Sequence, residues 1–255
     1  MRAAPWLLRR PGPQRALRLY CFSYAGGSPG QFLDWQAALG PQVEVCAIQL
    51  PGRGARFSEA PCSSLPQLVD TLAAVLAAEP DLPFAFFGHS LGGLIAFELA
   101  RRLAAGGHAM PQHLFISGCA APRERAPRVP VRTLDDAALL RKLAHYNGTP
   151  PELLAHAELM ELLLPAIRAD FALADDYVYR PGPPLALPLT ILAGRADRID
   201  RAGAVDGWAR ESTGPCRVHW FDGDHFFINS QRQAVLDCMA RELAGLPVRR
   251  LQLAL

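Results

Sequence analysis

The chain has 255 residues, half of them hydrophobic and a fifth charged, with a formal net charge of +2. That length suits a single α/β domain carrying an insertion, and surface-to-volume scaling lets it bury a full core without a disulfide or metal staple. The charge is too mild and the arginines too scattered for a nucleic-acid surface, so no nucleic-acid partner is expected.

Arg9-Arg10 has the look of a twin-arginine export signal, but Pro11-Gly12-Pro13 follows and no apolar run does. No stretch approaches the roughly twenty apolar residues needed to span a bilayer. The expectation is a cytoplasmic monomer with no membrane partner.

From Leu17 onward, short apolar runs alternate with longer amphipathic stretches. Residues 17–22 read as a strand, stopped by Ala25-Gly26-Gly27. Residues 31–39 read as a short helix and 43–49 as a second strand, before Pro51-Gly52-Arg53-Gly54 breaks the chain. Residues 65–78 have helical apolar spacing, through Leu65, Leu68, Val69, Leu72, Val75 and Leu76. Strands are expected at 84–87 and 113–117, with a helix at 91–103 between them. This rhythm implies a mostly parallel sheet with helices on both faces.

The rhythm breaks after Cys119. Residues 121–184 have proline-rich ends (Pro122, Pro127 and Pro130, then Pro181, Pro183 and Pro184) around two helical patterns, 133–145 and 151–176. An all-helical segment inside a β/α series is most simply an inserted lid on one domain covering 1–255. Its Leu139, Leu143, Leu159, Leu163, Ile167 and Phe171 recur at helical spacing and are expected to pack on the core. Strands resume at 187–192 and 218–221, and 231–243 closes the chain as a helix.

The six cysteines form no C-x-x-C pair and have no zinc-finger spacing, so no metal site is expected. Cys21, Cys46 and Cys119 lie in or beside strand-like runs, where a thiol behaves as a small hydrophobe.

The most informative segment is Phe84-Ala85-Phe86-Phe87-Gly88-His89-Ser90-Leu91-Gly92-Gly93. A strand runs into Gly88-x-Ser90-x-Gly92 and straight on into a helix, the nucleophile-elbow pattern. The serine must stand on a strained turn, and a Cβ at either flanking glycine would collide with a neighbouring element. The Leu91 N–H then lies at a helix N-terminus, aimed at a developing oxyanion.

A serine hydroxyl needs a base, and in this fold the acid and the histidine follow it in chain order. His225, in Gly223-Asp224-His225-Phe226-Phe227, lies just past the last strand. The other histidines stand before a strand, within one, on the lid helices or, for His89, on the elbow itself. The acid should follow the penultimate strand, where Gly194-Arg195-Ala196-Asp197 stands; Asp200 on the same loop competes with Asp197 for the role. Asp222 and Asp224 read as turn residues. A second oxyanion donor is expected in Ser23-Tyr24-Ala25-Gly26-Gly27, assigned to Ala25 with Tyr24 as the alternative.

Taken together, the chain resembles the stand-alone (type II) thioesterases that accompany non-ribosomal peptide and polyketide synthases. Further matching segments are Leu19-Tyr20-Cys21-Phe22-Ser23-Tyr24-Ala25-Gly26-Gly27-Ser28 and Gln49-Leu50-Pro51-Gly52-Arg53-Gly54-x-Arg56. With the elbow, Gly194-x-x-Asp197 and the His225 segment, they follow the family's order. Two departures are Ser23, where proline is usual, and Asp224, where glycine often precedes the histidine. The resemblance implies an α/β-hydrolase fold and acyl or aminoacyl groups held by the phosphopantetheine arm of carrier domains. It implies catalysis by Ser90, Asp197 and His225 without a cofactor. A small-molecule esterase or acyltransferase would share the triad, whereas a silent binding module would normally have lost a member of it.

Overall fold

The computed structural model describes residues 6–246 except 11, 13, 127, 128 and 201, so Pro11, Pro13 and Pro127 lie outside the described residues. Seven strands form one sheet: β1 (Leu7–Arg9), β2 (Leu17–Phe22), β3 (Val43–Ile48), β4 (Phe84–His89), β5 (Leu114–Ser117), β6 (Leu189–Gly194) and β7 (Cys216–Phe221). Their order across the sheet is β1-β3-β2-β4-β5-β6-β7. All pairs are parallel except β1 with β3. The short edge strand β1 was not foreseen, because three residues are too few to show a period.

The central strands are apolar on both faces, as expected where helices cover a parallel sheet twice. Alternation divides them between two cores. Tyr20, Phe22 and Phe86 face α2 (Leu65–Ala77) and α3 (Leu91–Ala105). Leu19, Cys21, Ala85 and Phe87 face α1 (Trp35–Leu39) and α8 (Arg232–Ala244). Burial raises the Cys21 thiol well above its usual range and pushes Cys46 up to about 12, so both stay protonated and inert.

Between β5 and β6 run α4 (Asp136–Tyr146), α5 (Pro151–Leu154) and α6 (Ala157–Asp175). Leu139, Leu143, Ile167 and Phe171 form a third core with Val131, Met160 and Leu164, while Leu159 stays 38% exposed. The expected 151–176 helix is interrupted at His156. Its backbone is extended, and its Nδ1 accepts the Leu159 N–H at 3.3 Å, capping the start of α6.

One other helix is shorter than its apolar spacing suggests. Residues 31–39 divide into a 3-10 turn, Pro29–Phe32, and α1; Ser28 and Pro29 start that turn locally. The closing helix stands where 231–243 predicts it, as α8, and a short α7 (Phe227–Ser230) precedes it. Among the described residues, no helix is long and apolar enough to cross a membrane.

The chain leaves β2 for β3 on one side, then returns to place β4 on the other. That reversal opens a crevice beyond the carboxyl ends of β2 and β4, the position where open α/β sheets bind their ligands.

Candidate active site

Ser90 stands at this crevice, one residue past β4. Its φ of 56° and ψ of −116° are unusual for a residue with a side chain and cost on the order of 1–3 kcal/mol. The neighbourhood holds the turn in place. The Ser90 N–H donates to the Ser117 carbonyl at 2.8 Å, and its own carbonyl accepts from Gly93 at 3.0 Å as α3 begins. A Cβ on Gly88 would lie 2.1 Å from the Gly92 oxygen. Glycine is therefore a packing necessity there.

Register places the loop after β2 beside the elbow. Phe22 pairs with Gly88, so Tyr24 and Ala25 come level with Ser90. Among the described residues, no protein group accepts the N–H of Ala25 or of Leu91. The same holds for Tyr24, whose ring packs edge-on against Phe226 with centroids 4.9 Å apart.

At the other side of the crevice, Gly194 of β6 pairs with Phe221 of β7. The two following loops therefore run together. Ala196 N–H donates to the Gly223 carbonyl at 2.9 Å, and a Cβ on Gly194 would lie 2.4 Å from the Asp224 oxygen. Asp197 and His225 meet in consequence, with Oδ2 and Nδ1 2.8 Å apart and both side chains nearly buried. Asp197 Oδ1 accepts the Ile199 and Asp200 N–H groups at 2.8 and 3.1 Å. Asp200 thus serves as a backbone donor to Asp197.

Burial raises the Asp197 carboxyl pKa. The His225 hydrogen bond and charge, with the two backbone donors, outweigh this and hold it below the usual carboxylate range. An ionised Asp197 fixes the proton of His225 on Nδ1 and leaves Nε2 as the basic nitrogen.

His89 lies beneath the site, fully buried, with Nδ1 2.9 Å from Ser117 Oγ and its ring 5.0 Å from that of His225. Desolvation, then the His225 charge, push its pKa well below the normal value; a contact with the His225 backbone acts the other way. It stays neutral. His113 is buried against Thr190, Nε2 to Oγ1 at 2.8 Å, away from the crevice.

Two residues beside the site were not singled out from the sequence. Asp170 of α6, 2% exposed, pairs with Arg53. Its sequence signal is a carboxylate inside an apolar stripe, between Ile167 and Phe171. Asn147 ends α4 with φ 58° and donates to the Asp224 carboxylate at 3.1 Å. Asp224 also accepts the Phe226 N–H at 2.8 Å, the Asx-turn bond that its reading as a turn residue predicts. The motif arginine Arg56 is buried away from the crevice, bonded to Glu59 at 2.8 Å and stacked over Trp6 at 3.7 Å.

A separate groove of about 1110 Å³ lies between α2, α3 and residues 176–186, and none of Ala25, Ser90, Asp197 or His225 lines it.

The thioesterase domain family matches residues 17–243. The gramicidin S biosynthesis protein GrsT of Aneurinibacillus migulanus is 37% identical over 227 residues, 89% of each chain. Thioesterase PikA5 of Streptomyces venezuelae is 38% identical over 230 residues, covering 89% of this chain and 81% of that one. Among solved structures, the type II thioesterase BorB of the borrelidin biosynthetic cluster superposes with a TM-score of 0.86 at 36% identity, over 93% of this chain and 97% of BorB. The chain belongs to the thioesterase family: it is a thioester hydrolase of the α/β-hydrolase fold, in the type II group.

Proposed function

We propose that Ser90, His225 and Asp197 are its catalytic triad and that its substrates are acyl or aminoacyl groups on the phosphopantetheine arm of carrier domains. The observation that carries the triad is the bond between Asp197 and the His225 Nδ1, at the same carboxyl end of the strands as the strained Ser90 turn. His225 Nε2 takes the Ser90 proton as Oγ attacks the thioester carbonyl. The Leu91 and Ala25 N–H groups hold the oxyanion of the tetrahedral intermediate. Collapse expels the pantetheine thiolate, which takes the proton from His225 Nε2; the neutral His225 then draws a proton from the water that attacks the acyl-enzyme and passes it to Ser90 Oγ as the acyl group leaves. Every step uses the chain's own residues, and the reading calls for no cofactor.

The carrier-bound substrate is supported by the relatives: a gramicidin S biosynthesis protein, and a thioesterase of the borrelidin cluster. The role is editing of misprimed or stalled carriers or release of product. We take α4, α5 and α6 as a lid, since they share a core of their own and border the crevice where Gly148 meets the Phe226 ring and Ile167 meets Gly26. Cys62 and Cys216, thiols only partly buried, fit a reducing cytoplasm.

The test offers one short acyl group on a carrier protein, on coenzyme A and on minimal pantetheine. We expect kcat/KM highest on the carrier, with coenzyme A and pantetheine alike, because the gain lies in contacts made by the carrier domain. Equal values for carrier and coenzyme A would replace this reading with a general thioesterase.

A further inference from the structure

Helix α6 reaches the loop after β2 through one carboxylate. Asp170 Oδ2 accepts the Gly26 N–H at 2.8 Å and Arg53 Nη1 at 2.8 Å, while Oδ1 accepts Arg53 Nη2 at 2.6 Å. Arg53 Nη1 also reaches the Gly27 carbonyl at 3.3 Å. One ion pair thus holds both a donor and an acceptor of the loop that contains Ala25.

The packing around it is equally close. Gly26 has φ +76°, and a Cβ there would stand 3.2 Å from Ile167 Cγ1. On the neighbouring loop, a Cβ on Gly52 would stand 3.3 Å from the Ala166 Cβ. Successive residues of α6 therefore press on both loops, with Asp170 bonded between them. An exposed pair would be loose and screened, but the Asp170 side chain is 2% exposed and that of Arg53 11%. A carboxylate so desolvated is held to its donors, and they to it.

We propose that Asp170, oriented by Arg53, is a positioning residue: through the Gly26 N–H it sets the neighbouring Ala25 N–H at the oxyanion, so that hole geometry depends on how α6 is seated. This rests on the reading that Ser90 is the nucleophile and Ala25 an oxyanion donor. The benefit falls on the transition state, because the oxyanion forms only there. A donor displaced by about 1 Å loses on the order of 10²-fold in rate.

Two double variants isolate the bond to Gly26. Both remove the charge pair, so neither strands a buried charge. Arg53→Met/Asp170→Asn keeps a side-chain oxygen for the Gly26 N–H; Arg53→Met/Asp170→Leu does not. With one pantetheine thioester, we expect kcat of the leucine variant to fall about 10²-fold below that of the asparagine variant. KM should differ less than threefold, and a trifluoromethyl ketone that builds an oxyanion on Ser90 should lose affinity in parallel with kcat. Equal kcat in the two variants, with stability alone changed, overturns the proposal and leaves Asp170 as packing. Failure of the underlying reading looks different, because activity would then survive Ser90→Ala. Amide exchange in the unaltered protein gives an arm independent of folding: the Gly26 amide should exchange with the slow amides of α6. Exchange of Gly26 well before α6 opens overturns the coupling.

Discussion

The Phe22 carbonyl oxygen stands 2.0 Å from the place a Cβ on Gly92 would occupy. The end of β2 therefore touches the first turn of α3, and this contact brings the loop bearing Ala25 against the serine turn. No side-chain rotation relieves a clash between a Cβ and backbone. Gly92→Ala should lose soluble, folded protein, whereas Gly203→Ala, with nothing within 4 Å of the new Cβ, should fold normally. Soluble yield and urea unfolding compare the two, and a folded, active Gly92→Ala enzyme would contradict this account of the elbow.

Ser90→Ala should fold and lose nearly all activity, on the order of 10⁶ in kcat, because only oxyanion contacts and binding remain. Its stability should change little, because alanine keeps the Cβ and with it the strain of the turn. A fluorophosphonate should label the unaltered protein and leave the variant unlabelled. Labelling that persists moves the nucleophile elsewhere.

Asp197→Asn should lower kcat by about 10⁴, the scale seen when the orienting carboxylate of a serine-protease triad becomes an amide. Asp200→Asn should cost little, since Asp200 bonds Asp197 through its backbone N–H, which the substitution keeps. Steady-state kinetics rank the two variants, and the opposite order gives Asp200 the orienting role.

His113 makes stability depend on pH. Its pKa is lowered to about 4, first by burial, with Arg217 adding to the drop and Glu242 opposing it. Below pH 6.5 the unfolded chain takes up a proton that the folded chain refuses until about pH 4. Stability from this group is therefore full above 6.5 and lost as pH falls toward 4, by about 3 kcal/mol at most. The stability gap between the unaltered protein and His113→Gln should narrow by that scale across the window. Urea unfolding at a series of pH values reads the gap, and a constant gap would mean that His113 titrates normally when folded.

Much of this molecule is legible in its sequence. The strands betrayed themselves as continuous apolar runs because a doubly covered parallel sheet has no wet face. The elbow was legible because its geometry tolerates only glycine at 88 and 92, and a steric necessity leaves a mark at fixed spacing. Chain order was enough to nominate His225 and the loop that carries Asp197 and Asp200, because each loop follows a strand whose place in the series is countable.

What the residues alone could not decide is which side chains meet across the fold. The pairing of Gly194 with Phe221 brings Asp197 and not Asp200 to the Nδ1 of His225, and register between strands is a property of the assembled sheet. The break of the second long helical pattern at His156 depends on a cap that periodicity does not record. Asp170 with Arg53, and Asn147 with Asp224, join residues 117 and 77 positions apart. Composition and spacing report what a residue is and which face it takes. A polar bond between distant loops exists only once packing has removed water from both partners and left each the other as its remaining counterpart.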